Sequence, residues 1–373
     1  MRIVVAMSGG VDSSTVAALL HAAGHEVIGV TLQLYDHGAA TSRKGACCAG
    51  QDIHDARRVA DRLGIDHYVI DAEARFAQAV IGDFAASYAR GETPVPCVRC
   101  NQSVKFTDLA ALARDLGAER LATGHYVRRI DGPHGAELHR AADAARDQSW
   151  FLFATTRAQL EYTLFPLGEM ADKGAVRAIA HAHGLAVADK ADSQDLCFVP
   201  NGRHTEVLAK LAPATAEPGE IVDATGRVLG SHGGIGGFTV GQGKGLGNAA
   251  MQSGVRQAVQ AIEPATRRIV IGPRGEGVHA CTLNEVNWLI DKPVGELACT
   301  VKLRARQEPV AARVEATEAG ARVRLDAPEL PAPGQACVFY QGSRVLGGGF
   351  IARPASRPDA AEMTRPTVAA QAG

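Results

Sequence analysis

The chain has 373 residues, of which 46% are hydrophobic and 21% charged, and its net charge is −1. That length exceeds one average domain and the composition can bury a core, so two or three domains are expected and a wholly disordered chain is excluded. With so little net charge nothing steers a polyanion to the molecule as a whole, and a nucleic-acid partner needs local basic patches.

The first apolar run, Ile3–Met7, is shorter than the apolar core of a secretory signal, and no later run approaches a membrane span. A cytoplasmic protein without membrane contact is the expectation. Its eight cysteines are then expected as reduced thiols, and any clustering among them points to catalysis or metal before structural disulfides.

Ile3–Met7 is a predicted strand that breaks into "SGGVDSS" (Ser8–Ser14). Val16, Leu19, Leu20 and Ala23 recur at helical spacing and stop at Gly24. Glu26–Leu34 is the next strand. Ile53, Ala56, Ala60 and Leu63 form a helical stripe ending at Gly64, followed by a strand at Asp66–Asp71. Leu109, Leu112 and Leu116 run to Gly117, then a strand is predicted over Glu119–Val127, and a helix over Lys173–His183 stops at Gly184. Glycine at each stop suits a left-handed cap. Strand–helix alternation of this kind predicts an α/β doubly wound parallel sheet over residues 1–203.

After Arg203 the character changes. Pro213, Pro218, Gly219 and "GSHGGIGGFTVGQGKGLG" (Gly230–Gly247) predict a small, loop-rich central domain over 204–271. From Gly272, short alternating segments such as "ARVEA", "ARVRL" and "ACVFY" predict a C-terminal antiparallel β-barrel over 272–354. Residues 355–373 have no apolar period and several prolines, and are expected to be disordered.

A loop between the first strand and first helix lies at the carboxyl ends of such a sheet, where ligands bind. Gly9 and Gly10 let backbone N–H groups approach an anion, Ser8, Ser13 and Ser14 add hydroxyls, and the helix adds its positive end. A Walker A loop is excluded, because the only Gly-Lys pair, Gly243-Lys244, is followed by Gly245. An ordinary tight turn with a serine cap competes with the anion reading. After its hydrophobic strand, "SGGVDSS" resembles the PP-loop of the N-type ATP pyrophosphatases, which cleave ATP to AMP and pyrophosphate and adenylate a carbonyl oxygen.

The cysteines narrow the chemistry. Cys97 and Cys100 lie in "GETPVPCVRCNQSVKF", with Cys100 expected just ahead of a helix, where its pKa would be lowered. Cys197 lies in "ADSQDLCFVPNGR" beside Phe198. Cys47 and Cys48 are adjacent, and a loop or packing role is preferred for them. Cys281, Cys299 and Cys337 fall in barrel-like strands and are expected as small core hydrophobes. Cys97 and Cys100 could be half a zinc site, but no second pair completes it, so no metal site is assigned. With Cys197 they would suffice for an iron–sulfur cluster having one open iron, and that alternative stays open.

"AMSGGVDSS", "ACCAGQDIHDARRVADRLGIDHYVID", "TPVPCVRCNQSVKF", "LATGHYVR", "DQSWFLF", "DSQDLCFVPNGR", "FTVGQGKGLG" and "PGQACVFYQG…LGGGFI" occur here in order. In order and spacing they resemble the bacterial tRNA-specific 2-thiouridylase family, from about residue 1 to 353. The resemblance implies replacement of the C2 oxygen of a tRNA wobble uridine by sulfur, using ATP with magnesium and a cysteine persulfide. The sulfur would come from a cysteine desulfurase or a sulfur-relay protein, and the enzyme would act as a monomer.

Ala6, Met7, Ser8, Gly9, Gly10, Val11, Asp12 and Ser13 would form the ATP loop, with Asp12 helping to organise magnesium. Leu32 would lie at the adenine and Gly124 beside the nucleotide. Cys100 matches the family nucleophile and Cys197 the persulfide carrier, and a transient Cys100–Cys197 disulfide would follow. Val95, Pro96 and Cys97 would sit against the target base. His125, Arg146, Asp147 and Gln148, with Arg304, Ala305 and Gln335 of the barrel, match tRNA contacts. Arg128, Arg129, Arg140 and Arg146 form a basic stretch suited to phosphate contacts. Without the resemblance, Arg304 and Arg306 would be taken for a solvated face of an exposed strand. Three positions depart from the family pattern: some members carry aspartate where Cys97 stands, an arginine is usual at Gly243, and some have an aromatic residue at Ala305.

Overall fold

The structure is a computed structural model that describes residues 1–35, 48–192, 196–199, 203–252 and 254–354. Cys47 and the tail expected to be disordered lie outside the described residues, as does the side chain of Cys48. No helix among the described residues is long and apolar enough to cross a membrane.

The N-terminal unit holds a parallel sheet. Its strands are β1 (Arg2–Ala6), β2 (Glu26–Gln33), β3 (Asp66–Asp71), β4 (Arg120–Ala122) and, after the hairpin β5 (Val127–Gly132) and β6 (Gly135–Arg140), β7 (Thr163–Leu164). They run in the order β3-β2-β1-β4-β7, all parallel. Ile3, Val4 and Val5 are fully buried on both faces of β1, which explains its unbroken apolar run. Helices Val11–Ala22, Cys48–Leu63, Asp108–Asp115 and Lys173–Ala182 stop at the predicted glycines, all four of which have positive φ.

One predicted strand is split. Instead of a single strand over Glu119–Val127, β4 ends at Ala122 and the chain leaves the sheet at Thr123–His125. A Cβ on Gly124 would lie 2.8 Å from the amide nitrogen of Ser13, so the backbone crosses directly over the start of the first helix. The hairpin β5–β6 was not foreseen in the sequence. It pairs not with the parallel sheet but with the C-terminal barrel, through Arg344↔His139 and an Arg140 N–H to Ser343 carbonyl bond of 2.8 Å.

The middle unit is more regular than its turn-rich sequence suggests. After helix His204–Leu211 come β8 (Gly219–Val222), β9 (Val228–His232), β10 (Met251–Gln252), β11 (Val255–Glu263) and β12 (Arg268–Pro273), ordered β10-β11-β12-β8-β9. Ile221, Val259, Ile269 and Ile271 fill its core.

The third unit contains β13 (Val278–Trp288), β14 (Glu296–Lys302), β15 (Val310–Ala316), β16 (Ala321–Glu329), β17 (Ala336–Gln341) and β18 (Arg344–Ile351). The order is β13-β16-β15-β14-β17-β18, and β13 also pairs with β18, closing an antiparallel barrel. Cys337 is fully buried in it, and burial pushes Cys281 and Cys299 up to about 12, as inert core thiols. Arg304 and Arg306 lie in the turn after β14 rather than on an exposed strand.

The three units meet on the segment just before Cys97. The Thr93 N–H donates to Pro333 O (2.7 Å), its hydroxyl to Thr239 Oγ1 (3.1 Å), and its carbonyl accepts from Gln335 Nε2 (2.9 Å). Arg353 donates to Arg90 O (2.7 Å) and Ile262 O (3.0 Å). Arg99 forks onto Glu285 at 2.5 and 2.7 Å, lies 3.4 Å from Asp83 and sits 4.1 Å above the Phe350 ring. Arg99→Ala is expected to lower stability by about 2 kcal/mol, since it removes a half-buried fork and a cation–π contact together. Arg99→Lys should recover only part, because lysine cannot make the fork. Denaturant midpoints of the three proteins measure this, and equal midpoints would contradict it.

Candidate active site

The order β3-β2-β1-β4 reverses direction at β1, so the crevice between the carboxyl ends of β1 and β4 is the switch point of the sheet. Ser8–Gly10 fills that crevice. Gly9 has φ 72°, and a Cβ there would run into the Asp52 carbonyl. The Ser8 N–H donates to Ser13 Oγ at 3.0 Å, folding the loop onto the helix start. Gly10 caps helix Val11–Ala22 with no side-chain acceptor, so the first-turn N–H groups are available to an anion. This arrangement fits a phosphate chain. Met7 and Val11 are buried and Ala6 partly so, which leaves their backbone as the surface a nucleotide can touch.

Two lysines brace the loop. Lys173 Nζ lies 2.6 and 2.7 Å from the two Asp12 oxygens and 2.8 Å from Asp192, whose other oxygen holds Arg146 at 2.6 Å. The Tyr126 hydroxyl donates to Asp12 at 2.6 Å. Burial would raise the Asp192 carboxyl, but Lys173 and Arg146 prevail and hold it below the usual range. Lys190 Nζ donates to Gly9 O (2.9 Å), Asp52 (2.7 Å) and Asp55 (2.6 Å). The expectation that Asp12 organises magnesium does not fit this arrangement. An ammonium spans both carboxylate oxygens and would repel a second cation.

The thiol half of the site differs from the expected helix geometry. Cys100 does not precede a helix but ends one: Pro96–Cys100 is helical and passes into a wider π turn, Asn101–Lys105. Cys97, not Cys100, lies in the first turn. Cys100 is buried, and desolvation raises its thiol instead of lowering it. Cys97 and Cys197 are exposed but crowded by protein, and desolvation raises both, Cys197 to about 12 with Cys100 adding to the effect. The Lys105 ammonium pulls all three back down. Phe198, next to Cys197, packs on Phe76 and Phe84 at 5.8 and 5.2 Å in the cluster that buries Cys100. The fold thus gathers Cys97, Cys100 and Cys197 around Lys105. Among the described residues no three His, Cys, Asp or Glu side chains are arranged as a metal-ligand set.

With the Cys197 thiol raised, little thiolate exists at neutral pH, and the fraction grows as pH rises toward about 12. Iodoacetamide capture of Cys197 in the free enzyme is therefore expected to climb about tenfold per pH unit from about 7 to 10. A curve that levels off near 8.5, as for an ordinary thiol, would rule this out; peptide mass spectrometry reads the rate.

The remaining predicted residues separate into several groups. His125 is held neutral, its pKa pushed down to about 3 by burial and then by Lys105, and its Nδ1 meets Thr123 Oγ1 at 2.9 Å. Gln148 Oε1 accepts from the Tyr126 N–H at 2.8 Å. The Asp147 carboxylate is committed internally, accepting from the Ala141 and Ser149 amides (3.2 and 3.1 Å) and the Ser149 hydroxyl (2.9 Å). Val95 and Pro96 are buried; Leu32 is partly buried against the Cys100 cluster. Arg304 reaches Val240 O and Leu330 O, Gln335 reaches Thr93 O, and Ala305 packs on the main core, so all three stand at unit junctions. The basic stretch is largely neutralised: Arg129 pairs with Asp131 and Glu161, Arg146 with Asp192, and Arg140 lies over the Tyr340 ring.

Lys105, Tyr126, Lys173, Lys190 and Asp192 were not singled out in the sequence. Lys105, Tyr126 and Asp192 fall inside "TPVPCVRCNQSVKF", "LATGHYVR" and "DSQDLCFVPNGR", which could have flagged them. Lys173 and Lys190 are lone lysines with no local signal.

Residues 1–201 match the family described as tRNA methyl transferase HUP domain, 206–273 the tRNA methyl transferase PRC-barrel domain and 278–351 the aminomethyltransferase beta-barrel domain. The tRNA-specific 2-thiouridylase of Acidiphilium cryptum is 67% identical over 94% of this chain and 100% of its own length. That of Gluconobacter oxydans is 60% identical over 94% and 99%, and that of Rhodospirillum centenum 57% over 100% and 96%.

Proposed function

Since the chain belongs to the family of the tRNA-specific 2-thiouridylases, we propose that it thiolates C2 of a tRNA wobble uridine in two stages, activation by ATP and transfer of sulfur from a cysteine. The observation that carries this is the short segment Thr123–His125. Gly124 touches the start of the phosphate-binding helix, while its neighbour His125 stands in the field of Lys105 among the thiols. Activation and transfer can therefore act on one carbonyl group.

A uracil C2 carbonyl is unreactive, and oxide is a hopeless leaving group. In the first stage the C2 oxygen attacks the α-phosphorus of ATP, pyrophosphate departs, and the oxygen becomes part of an AMP leaving group. The uncapped helix start and the Ser8–Gly10 amides stabilise the charge gathering on pyrophosphate. Asp12 fixes Lys173 beside the loop, and magnesium arriving with ATP would neutralise part of the phosphate charge.

In the second stage the terminal sulfur of a Cys197 persulfide, loaded by a cysteine desulfurase or sulfur-relay protein, adds to C2. The Cys100 thiolate attacks Cys197 Sγ, the S–S bond breaks, AMP leaves, and sulfur stays on the base. A Cys100–Cys197 disulfide remains, which a dithiol must reduce by two electrons. Lys105 offsets the negative charge on sulfur during these exchanges. Neutral His125, Gln148 and exposed Cys97 border the flipped base. Cys97 stands where some relatives have aspartate, so proton transfer passes to it or to water.

Residues 1–203 form the activating unit, and 204–271 and 272–354 dock the tRNA. The enzyme acts as a cytoplasmic monomer. The reading is tested by incubating the protein with ATP, unmodified tRNA and a persulfide-loaded donor. One AMP and one pyrophosphate should appear per 2-thiouridine; sulfur incorporation without ATP cleavage would refute it.

A further inference from the structure

The glycine-rich segment of the middle unit lies along β11, not in the crevice. Gly241 N–H donates to Val259 O (2.7 Å) and Val259 N–H to Gln242 O (2.9 Å). Gln242 pins the loop further, accepting from Thr239 N–H (3.1 Å) and donating to Lys244 O (2.9 Å). Between this loop, β10, β11 and the end of β12 runs an open groove of about 770 Å³. Lys244, Arg256 and Arg274 line it, all exposed, and no carboxylate does. The Arg274 N–H donates to Arg256 O at 2.9 Å, which sets the two arginines on neighbouring strands.

The remaining arginines of this unit are neutralised: Arg227 by Asp223, Arg267 by Glu217 and Arg268 by Glu220. Among the described residues Lys244, Arg256 and Arg274 have no ion pair. Three unpaired cations in one groove, in a chain of net charge −1, repel one another and are relieved by an anion with several charges. Met251, half exposed, and Ala250 add an apolar wall. Cations spaced along an open groove beside an apolar wall suit a chain of phosphates and riboses.

We propose that this groove is a docking site for the sugar–phosphate backbone of the tRNA, separate from the contacts around the target uridine. The proposal rests on the reading that tRNA is the substrate. It gives a nearly neutral protein, whose Arg128–Arg146 stretch is largely paired internally, a local cluster of free positive charge with which to hold a polyanion.

The test compares the full-length protein with Lys244→Ala, Arg256→Ala, Arg274→Ala and the triple variant. tRNA binding is measured between about 50 and 200 mM salt. In the triple variant the slope of log affinity against log salt should become shallower by about 2 to 3, since each phosphate no longer neutralised takes away about 0.7 to 0.9. Affinity at low salt should fall by about tenfold or more, the tRNA KM should rise, and kcat and pyrophosphate release should stay near wild type. Lys244→Arg, Arg256→Lys and Arg274→Lys combined should keep the slope. If the unaltered protein thiolates tRNA and the triple variant keeps its affinity and salt slope, the groove assignment falls alone. Weaker binding with an unchanged slope overturns it too, since lost charge is then not the cause. If the unaltered protein binds no tRNA, the functional reading falls and takes the groove with it.

Discussion

Cys197→Ser is expected to stop sulfur transfer while leaving ATP activation intact. Thiolation should drop by at least about a thousandfold, as for loss of a covalent nucleophile, with pyrophosphate release on tRNA little changed. The separation follows from the geometry: Cys197 adjoins Phe198, which packs in the Cys100 cluster, whereas the phosphate loop is braced by Lys173 and Lys190. Cys100→Ser should behave similarly but differ in one product. Sulfur can still reach C2 from Cys197, so a covalent tRNA–protein adduct should accumulate, because no thiolate breaks the S–S bond. Cells relying on this protein, carrying either variant, should yield tRNA without 2-thiouridine by mass spectrometry. Unchanged thiolation in both variants would sink the mechanism.

The second large effect is at Asp12. Asp12→Ala should reduce ATP-dependent pyrophosphate release by about a hundredfold or more, on the scale of losing a preorganised electrostatic contact. It removes the carboxylate that fixes Lys173 and receives the Tyr126 hydroxyl, and leaves Lys173, nine-tenths buried, with Asp192 alone. A buried cation losing a partner also costs stability, so the alanine variant should melt earlier. Asp12→Asn separates the two effects: it retains an acceptor for Tyr126, should melt closer to wild type, and should still be slow. Normal pyrophosphate release from both variants would remove Asp12 from the activation step.

Much of the fold was legible because it rests on local rules. The apolar run of β1 requires burial on both faces, and four helices stop at glycines that adopt positive φ. The alternating segments of the barrel became β15 and β16 because a one-residue slip would turn their apolar side chains out of the core, and "ACVFY" became β17, buried on both faces. The break at Thr123–His125 was not legible, since close approach of Gly124 to Ser13 depends on residues more than a hundred positions apart. The hairpin β5–β6 was missed for the same reason: its partner strand lies in another unit.

The site divides along the same line. The sequence by itself determined the phosphate loop, the identity of the three thiols and the family, because each is carried by contiguous residues with local chemistry. Tertiary structure decided the protonation and surroundings of those residues. Cys100, expected to be activated at a helix start, is raised by burial at a helix end, and Asp12, expected to face a metal, faces Lys173. It also brought Lys244, Arg256 and Arg274, none of which has an ion pair among the described residues, to one groove. Charge and pKa depend on distance to groups remote in the chain and on how much water is excluded, and neither quantity exists until the chain has folded.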